Sequence, residues 1–504
     1  MSQPARKGAV AVGDPVDVAT GAMFDTWLDF SVPGRPELGF WRFYSTSLRD
    51  QRGPLGPGWR HAYQHQLRRT LDGYAWTDDT GNRIDLPDRT GALARQGRLV
   101  LPDAGIELRR GPTCIDVRPY AENPRLTLRF ETRDDGRTHR LLAIQRNDEV
   151  GLDMAYDGRG RLASITQRRS GRQVQLEYDR HGRLSATWFR GPPKELCARY
   201  LYDARGRLAQ VQDRIGIVST IEYDDDDRIL CETTNSGAVH TFRYDGDGRC
   251  IYASGSDRYQ ERQLEYDLTN RITTVRDSHG HPTTYAYNDQ GQVEEVVSAL
   301  GSVAKQQFDD VGRPTRSIDP IGAVTDVRYD TLGRIEAATY PDGRAMTLEY
   351  DDAHRVTAIA DAQDRRWEYT YDDTTGELLR SVNPLGHTWS YERNEYGEPV
   401  RVLNPRGHAA VMQWDRQGNR SSYTGPDGGT STSTFDAYGR TVMSSDALGQ
   451  VTQRQYDTAG RLARVQYPDG RVFRYAFPNG VREMQQIAPD GAVTRVHYNA
   501  CGLV

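Results

Sequence analysis

Short stretches with alternating apolar and polar side chains, separated by turn residues, fill most of the chain. In residues 451–470 (VTQRQYDTAGRLARVQYPDG), a strand ends at Tyr456 and a second strand runs back over residues 461–467. Asp457 can accept a backbone N–H group two residues on, and Gly460 supplies the positive φ that closes a short hairpin. Pro468, Asp469 and Gly470 form the next turn. The segment therefore predicts one β-hairpin followed by a connecting turn.

An aromatic residue, usually followed by Asp, Asn or Glu, recurs at nearly constant spacing through the rest of the chain. Sixteen steps cover the 342 residues from Tyr156 to Tyr498, a mean of 21.4 residues. Each repeat is about two antiparallel strands, so seventeen repeats predict a meander of more than thirty strands. The predicted anchor residues are Tyr156, Tyr178, Tyr202, Tyr223, Tyr244, Tyr266, Tyr287, Phe308, Tyr329, Tyr350, Tyr371, Tyr391, Trp414, Phe435, Tyr456, Phe477 and Tyr498.

The two faces of the predicted sheet differ in polarity. The residue two before the anchor is apolar in fourteen of the seventeen repeats, whereas the residue just before it is usually polar, as at Glu177 and Arg328. Side chains alternate along a strand, so the pattern is typical of an antiparallel sheet with one solvated face. We therefore expect one concave face to carry Tyr178, Tyr223, Tyr266, Tyr329, Tyr350 and Tyr456.

This pattern predicts an all-β protein built on one long, spiralling antiparallel sheet. No amphipathic helix pattern is available to cover the apolar face, and twist accumulates in a sheet of this length. Coiling with the aromatic face inward hides that face, which gives a hollow shell. The last strand, in residues 492–498, has no proline and one charge, so we expect an incomplete shell whose C-terminal edge is free to pair.

Composition changes along the chain and predicts four parts. Residues 1–12 form an N-terminal tail, and residues 13–90 form a compact β-rich head that caps the array and contains four of the eight tryptophans. Residues 91–150 are a transitional β segment, in which residues 134–137 (DDGR) resemble the turn of a degenerate first repeat. The repeats occupy residues 151–504.

Charge and cysteine content exclude several classes of protein. The net charge of −5 comes without a long Lys/Arg run, so no nucleic-acid partner is expected. No stretch approaches the ~20 apolar residues of a membrane span, and the N-terminal apolar run is too short for a signal peptide. The five cysteines are widely spaced, which indicates folding in a reducing compartment rather than a disulfide framework.

The search for chemistry identifies no catalytic, cofactor-binding or metal-binding residue. Phosphate-loop, HExxH and GxSxG motifs are missing from the sequence, and the eleven histidines are scattered, which favours structural or surface roles. Asp224–Asp227 and the turn with Asp245 and Asp247 lie in hairpin turns and lack the ligand pattern of an EF-hand. Paired carboxylates of a glycosidase carry no signal among 70 acidic residues. We therefore expect no enzymatic activity, metal or cofactor.

The repeated turns resemble the YD repeats of the Rhs family, as in YDGRGRL from Tyr156, YDTLGRI from Tyr329 and YDTAGRL from Tyr456. The head segments GDPVDVATG, DFSVPG and GPLGPGWRHAY resemble the domain that commonly opens an Rhs core. This resemblance covers about 95% of the chain and implies a β-sheet cocoon around a C-terminal toxin, in bacterial competition or in insecticidal toxin complexes.

Two features depart from the family pattern. No PAAR-like tip domain precedes the head, and the sequence stops at residues 501–504 without the aspartate-containing core terminus or a toxin. The DPIG and NPLG segments that begin at Asp319 and Asn383 lie in connecting turns, so the protease role of the family terminus is not transferred to them. The chain is thus read as the split or truncated front part of a longer shell.

The leading functional hypothesis is a non-enzymatic scaffold that encapsulates or presents a toxin polypeptide. Its expected partners are that toxin or the remaining Rhs core segment, and a component of a secretion apparatus. We expect synthesis in the bacterial cytoplasm and export by a dedicated system, such as type VI secretion. The alternative is a surface-associated, carbohydrate-binding adhesion module, because exposed aromatic side chains on β-repeats can stack on sugar rings.

Overall fold

A computed structural model describes residues 10–13, 15–132, 138–191, 194–478, 480 and 482–499. The predicted turn at residues 134–137 and the chain end at residues 501–504 lie outside the described residues. Within this part of the chain, the helices are α1 (Ala92–Gln96) and two 3-10 turns, Thr46–Leu48 and Ser256–Arg258. None of the described helices has the length and hydropathy needed to cross a membrane.

The head consists of short strands in four small sheets. The β3–β4 hairpin is extended by β7, and β8 pairs with β15, which lies far along the chain. The strands are β1 Ala11–Val12, β2 Val16–Asp17, β3 Phe24–Val32, β4 Leu38–Ser45, β5 Arg52–Gly53, β6 Gly56–Pro57, β7 Trp59–His61, β8 Gln66–Thr70, β9 Gly73–Thr77, β10 Arg83–Pro87 and β15 Thr138–His139.

All other strands belong to one antiparallel sheet of 38 strands, which follow one another in chain order from β11 to β49. The prediction of an all-β fold with one long antiparallel meander is confirmed. The strands are β11 Arg98–Leu101, β12 Ile106–Arg110, β13 Cys114–Arg118, β14 Thr127–Glu131, β16 Leu141–Gln145, β17 Gly151–Tyr156, β18 Leu162–Gln167, β19 Gln173–Tyr178, β20 Leu184–Phe189, β21 Glu195–Tyr202, β22 Leu208–Gln212, β23 Ile217–Tyr223, β24 Ile229–Thr234, β25 Val239–Tyr244, β26 Cys250–Ser254, β27 Arg262–Asp267, β28 Ile272–Arg276, β29 Pro282–Tyr287, β30 Val293–Val297, β31 Val303–Phe308, β32 Pro314–Ile318, β33 Val324–Tyr329, β34 Ile335–Thr339, β35 Ala345–Tyr350, β36 Val356–Asp361, β37 Arg366–Tyr371, β38 Leu378–Val382, β39 Thr388–Arg393, β40 Pro399–Leu403, β41 Ala409–Trp414, β42 Arg420–Thr424, β43 Thr430–Phe435, β44 Thr441–Ser445, β45 Val451–Tyr456, β46 Leu462–Gln466, β47 Val472–Ala476, β48 Glu483–Ile487 and β49 Val493–His497.

Each hairpin is tied to the next by an aspartate, an arginine and a tyrosine, a unit that we call the clasp. Asp330 Oδ1 accepts the backbone N–H groups of Leu332 and Arg334, both at 2.9 Å. Asp330 Oδ2 accepts from Arg334 Nε at 2.7 Å. The guanidinium of Arg334 lies 4.4 Å from the ring centroid of Tyr350 in the next repeat. The Tyr350 hydroxyl completes the clasp by donating to Ile335 O at 2.7 Å.

The tyrosine and arginine contacts of the clasp recur between Tyr156 and Tyr456. Among the described residues, ten tyrosines donate to a backbone carbonyl of the preceding hairpin at 2.5–2.9 Å. Each of their rings has an arginine guanidinium 4.4–5.6 Å from its centroid. Each hydrogen bond contributes about 1 kcal/mol and each exposed cation–π contact about 0.5–1 kcal/mol. These tyrosines are Tyr156, Tyr178, Tyr202, Tyr223, Tyr244, Tyr266, Tyr329, Tyr350, Tyr371 and Tyr456.

One predicted anchor, Tyr391, is wrong by two residues. The structure places Arg393 at the anchor position, where the strand register shifts between Glu392 and Arg393 as it shifts before the tyrosine in other repeats. Arg393 Nε donates to Leu378 O at 2.7 Å and so replaces the tyrosine hydroxyl. The prediction chose Tyr391 because the pair Tyr391–Glu392 has the aromatic–acidic signature of the repeat, but this pair lies two residues before the true anchor position.

The sheet coils into a spiral whose second turn lies on the first. Contacts recur between residues 212 to 252 positions apart, which corresponds to about eleven repeats per turn. Neighbouring strands are about 4.8 Å apart, so about 23 strands per turn give a circumference of about 110 Å and a width of about 35 Å. The predicted spiral is therefore wide enough to be hollow.

Two kinds of turn meet at the seam between the spiral turns. The hairpin turns in the second revolution of the spiral lie on the connecting turns in the first revolution. Tyr120 donates its hydroxyl to Leu332 O at 2.7 Å, and its ring stacks on His354 with centroids 3.9 Å apart. Phe189 packs on Tyr438 with centroids 4.9 Å apart. The seam thus joins segments that are far apart in sequence.

Departures from the repeat signature supply the charges of the seam. Glu377 and Glu398 stand where most hairpin turns have the clasp arginine. Glu377 accepts from Arg125 at 3.0 Å, and Arg35 approaches it to 3.5 Å. The fully buried Glu398 is paired with Arg169 of the first turn. An arginine-to-glutamate exchange within the repeat therefore provides partners for the arginines of the connecting turns.

We predict that Gly333→Ala destabilises the seam more than Gly343→Ala does. Both glycines have positive φ, +76° and +78°, so both alanines should cost about 1 kcal/mol in backbone strain. A Cβ at Gly333 would lie 2.6 Å from Pro102 O, whereas a Cβ at Gly343 meets nothing within 4 Å. Overpacking should add about 1–3 kcal/mol at Gly333 only. Urea unfolding measures the difference, and equal free energies of unfolding would contradict the seam contact.

A second prediction concerns pH. Glu107 is buried against Arg98 at 2.5 Å, Arg109 at 2.8 Å and Arg118 at 3.2 Å. Burial alone would raise its pKa, but His354, Arg109 and Arg118 outweigh burial and lower the pKa to about 2. A lowered folded-state pKa means that the stabilisation is present above the unfolded value near 4.5 and is lost between about pH 4.5 and pH 2, by up to about 3 kcal/mol.

Glu107→Gln should therefore flatten the fall in stability between pH 7 and pH 3. Urea titrations at the two pH values give the comparison. Glu265→Gln is the control, because Glu265 is an exposed side chain of the same sheet. The prediction fails if the Glu107 variant loses as much stability in acid as the unmodified chain.

Candidate functional site: the head-filled first turn and the open inner wall

The head fills the concave side of the first spiral turn. Its contacts reach one face of the sheet from β18 to β28: Gln167 Nε2 donates to Val32 O at 3.2 Å, and Thr273 Oγ1 donates to Val18 O at 2.5 Å. A head of about eighty residues can contact one face of so many strands only if that face curves around it. The inner face of the sheet is therefore the one that carries the anchor aromatics.

A buried polar network fixes the head at the centre of this face. Arg42 Nε donates to both carboxylate oxygens of Asp29, at 2.8 and 3.0 Å, and Tyr200 donates to Asp29 Oδ2 at 2.7 Å. Burial raises the pKa of the Asp29 carboxyl, and Arg42 opposes that rise. The Arg42 guanidinium also lies 5.0 Å from the ring centroid of Trp59. The charged pair lies within the head, and the Tyr200 hydroxyl ties it to the sheet, because a shift of the head would leave the buried Asp29 carboxylate without that donor.

Two head aromatics join the clasp itself. The Tyr223 hydroxyl donates to Leu208 O at 2.7 Å and accepts from Trp59 Nε1 at 2.8 Å. Tyr44 donates to Asp227 O at 2.9 Å, and Ile229 N donates to Tyr44 at 3.3 Å. Burial raises the pKa of both tyrosines well above the usual range, so their hydroxyls stay protonated and can donate.

Where the head covers it, the inner face is a closed core. The residues two before the anchor are at most 7% exposed in this part of the sheet, as the sequence pattern predicts. The residues just before the anchor are exposed and mostly charged or polar, which confirms the predicted facing. The covered inner residues are Met154, Leu176, Tyr200, Ile221, Phe242 and Leu264.

In the second turn, the same positions are half-exposed and form a surface that we call the inner wall. Its strands keep the alternation, as in β37, where Trp367, Tyr369 and Tyr371 are half-buried and Glu368 and Thr370 are exposed. The clasp still covers one face of Tyr371 with Arg355, at 4.9 Å. The inner wall comprises Val327, Leu348, Tyr369, Tyr391 and Tyr475.

A cleft of about 1090 Å³ opens between the head and the hairpin turns of the first spiral turn. Arg161 and Arg183 line it, and each is already paired with the aspartate of its own turn at 2.7 Å. Burial lowers the pKa of His61 to about 3 and that of His65 to about 4, so both imidazoles are neutral. Burial likewise raises the pKa of the Cys197 thiol to about 12. The Cys197 thiol, which lies outside this cleft, therefore stays protonated at neutral pH.

The acidic turns that the sequence analysis considered for calcium are occupied by arginine. Asp224 Oδ2 accepts from Arg228 Nε at 2.6 Å, and Asp245 Oδ2 accepts from Arg249 Nε at 2.8 Å. Asp226 accepts a further bond from Arg228 at 2.9 Å. These carboxylates belong to clasps.

The fold and the two surfaces of its sheet define a repeat-built shell protein, and comparison with known families agrees. The Teneurin YD-shell family matches residues 121–252 and 263–446, the RHS Repeat family matches residues 435–472, and a domain of unknown function (DUF6531) matches residues 13–86. The chain belongs to the Rhs/YD-shell family.

Two curated relatives align with part of the chain. The chain is 26% identical over 306 residues to "Double-stranded DNA deaminase toxin A" of Burkholderia cenocepacia (strain H111), covering 56% of this chain and 20% of that protein. It is 25% identical over 296 residues to "Probable deoxyribonuclease RhsA" of Dickeya dadantii (strain 3937), covering 58% of this chain and 20% of that protein. The aligned part of the chain thus spans about a fifth of the length of these relatives.

Among solved structures, the chain is similar to the crystal structure of TcdB2-TccC3-TEV. The identity is 12%, the TM-score is 0.46, and the match covers 95% of this chain and 32% of that one. A second match, the Photorhabdus luminescens Tc holotoxin pore with the mutation TccC3-D651A, has 13% identity and a TM-score of 0.43 over 95% of this chain and 32% of that one.

We predict that Tyr223→Phe destabilises the protein more than Tyr350→Phe. Both changes remove one hydroxyl bond to a backbone carbonyl, at 2.7 Å in each case, with an expected loss of about 1 kcal/mol. The Tyr223 change also leaves the buried Trp59 N–H without its acceptor, which should add about 1–3 kcal/mol. Urea unfolding followed by tryptophan fluorescence compares the two variants. Similar losses would show that the head does not depend on this bond.

Proposed function

We propose that this chain is a wall segment of a shell that surrounds a polypeptide, and that the enclosed polypeptide is a toxin. The observation that carries the proposal is the contrast between the two parts of the inner face. The face is a closed core where the head covers it, and it is a half-exposed aromatic wall in the second turn, as at Tyr369 and Tyr475. Large exposed apolar surfaces are typical of binding surfaces.

The outer face supports the same proposal. Its side chains are exposed and include exposed ion pairs, such as Arg366 with Glu349 at 2.6 Å and Arg401 with Glu392 at 3.0 Å. Such pairs contribute little to stability but keep the surface solvated. A sheet with a solvated outer face and an aromatic inner face is suited to enclose a polypeptide. The similarity to a deaminase toxin and to a probable deoxyribonuclease supports a toxin as the occupant.

The proposed role for this chain is structural, with no chemical reaction of its own. The neutral buried histidines, the protonated thiols and the arginine–aspartate pairs of the clasps support this proposal. We assign the deaminase and deoxyribonuclease activities named for the relatives to the parts of those proteins that this chain does not match. We further propose export by a dedicated secretion system and a role in bacterial competition, with the remaining core segment of the shell and a secretion component as partners.

The sugar-binding alternative has weaker support. An aromatic ring that binds a sugar needs a free face for stacking. In the clasps, one face of the tyrosine ring is covered by arginine, for instance Tyr329 by Arg313 at 4.7 Å and Tyr456 by Arg440 at 4.5 Å. Their hydroxyls are also bonded to the backbone, at 2.8 and 2.9 Å, so they are not free for a sugar.

Photo-cross-linking tests the shell proposal. A small reporter domain is fused behind Val504, and p-benzoylphenylalanine replaces either Tyr369 on the inner wall or Glu368 on the outer face. These two residues are neighbours on one strand and differ in the face they occupy. We expect irradiation to link the reporter to position 369 and not to position 368. Equal yields at the two positions, or capture only at 368, would contradict enclosure.

A further inference from the structure

The connecting turn between β28 and β29 brings together three side chains that can bind a metal. Asp277, His279 and His281 each offer a ligand atom, and these atoms all lie within 4.8 Å of one another. The two imidazoles are exposed and the carboxylate is half-buried. The histidines were expected to have structural or surface roles, because their spacing matches no helical or cysteine-based metal motif. Here the three ligands stand at every second residue of a single turn.

The backbone of the turn already positions the carboxylate. Asp277 Oδ1 accepts the N–H groups of His279 and His281, both at 2.9 Å. Gly280, with a φ of +83°, closes the turn. The second oxygen, Oδ2, is therefore directed toward His281 Nδ1, which lies 3.3 Å away. In the clasps, an arginine at this fourth position neutralises the aspartate, whereas here the position holds an imidazole.

These distances suit a small divalent cation. Tetrahedral sites with bonds of about 2.0–2.1 Å place their ligand atoms about 3.4 Å apart, which is the spacing that Asp277 and His281 already have. The ring of His279 stacks on that of His281 with centroids 5.8 Å apart and an angle of 17° between the planes. His279 is exposed, so its side chain can rotate to complete the set.

We propose that Asp277, His279 and His281 form a binding site for a divalent transition-metal cation such as Zn²⁺. Imidazole and carboxylate are common ligands of such cations. Three protein ligands leave a fourth coordination position on the solvent side, open to water or to a ligand from another chain. The site lies on the turns of the shell and does not depend on the proposed enclosure of a polypeptide.

Two sister turns in the same sheet provide natural controls. Asn383 and His387 stand where Asp277 and His281 do, and Asn383 Oδ1 accepts the N–H groups of Leu385 and His387 at 3.0 and 2.9 Å. Gly386 has a φ of +77°. This turn therefore has the same backbone geometry, but it has a neutral amide and one imidazole in place of a carboxylate and two. The turn from Asn404 to His408 is built in the same way.

The test is a zinc titration of the full chain in competition with a colorimetric zinc chelator. We expect the unmodified protein to hold one equivalent of Zn²⁺. Asp277→Asn and His279→Ala should each weaken binding at least tenfold. Asp277→Asn keeps the turn intact, because Asn383 accepts the same backbone bonds in the sister turn. His387→Ala and His408→Ala should leave zinc affinity unchanged. The proposal is overturned if the unmodified protein holds no zinc, or if Asp277→Asn and His279→Ala bind it as the unmodified protein does.

A transplant gives an independent check. The double substitution Asn383→Asp and Leu385→His gives the sister turn the same three ligands at the same positions. Leu385 is 78% exposed, so the exchange should not disturb the core. We expect a second equivalent of bound Zn²⁺, which His387→Ala should abolish. A transplant that folds and binds no additional zinc would show that this turn geometry does not make a site.

Discussion

Each hairpin of the main sheet has to stay in register with the next over 38 strands, and the clasp supplies that constraint. An aspartate closes one turn, the arginine four residues later neutralises it, and the same arginine covers the tyrosine of the following hairpin. The tyrosine hydroxyl then bonds back to the first hairpin. Because every clasp links only neighbours, the sheet can grow by any number of repeats, and its curvature is set locally by the offset between consecutive hairpins.

The spiral needs a second kind of contact, because local clasps do not hold one turn on another. That contact comes from residues that break the repeat signature. Glu377 and Glu398 replace clasp arginines and pair with arginines of the first turn. His354 occupies a glycine position, with a φ of +64°, and stacks on Tyr120. The strain of that backbone is offset by a contact that a glycine could not make. Regular positions thus build the sheet, and irregular positions close the coil.

This division explains what the sequence could and could not predict. The turn chemistry, the 21-residue spacing and the facing of side chains are local, so the strand pattern and the coiled sheet follow from them. The Tyr391 assignment failed because an arginine takes the anchor position two residues later, a substitution that spacing alone does not reveal. The partners of Glu377 and the filling of the first turn by the head depend on contacts between residues 135 or more positions apart, and a periodic sequence has no signal for those. The replacement of arginine by glutamate at positions 377 and 398 can be seen in the sequence. The reason for it, pairing with Arg125 and Arg169, becomes clear only when the spiral brings these residues together.

The same sheet serves as a core and as an exposed wall, and the amphipathic nature of its tyrosines makes both roles compatible. Under the head, Tyr223 and Tyr202 are half-buried and pack against the hydrophobic core. In the second turn, Tyr350 and Tyr371 keep their hydroxyl bonds and their arginine neighbours with one side open. A purely aliphatic face would have to be covered to remain soluble, whereas a ring that is hydrogen-bonded at one end and stacked on a guanidinium tolerates water. The packing of the wall itself therefore does not require a partner that covers it.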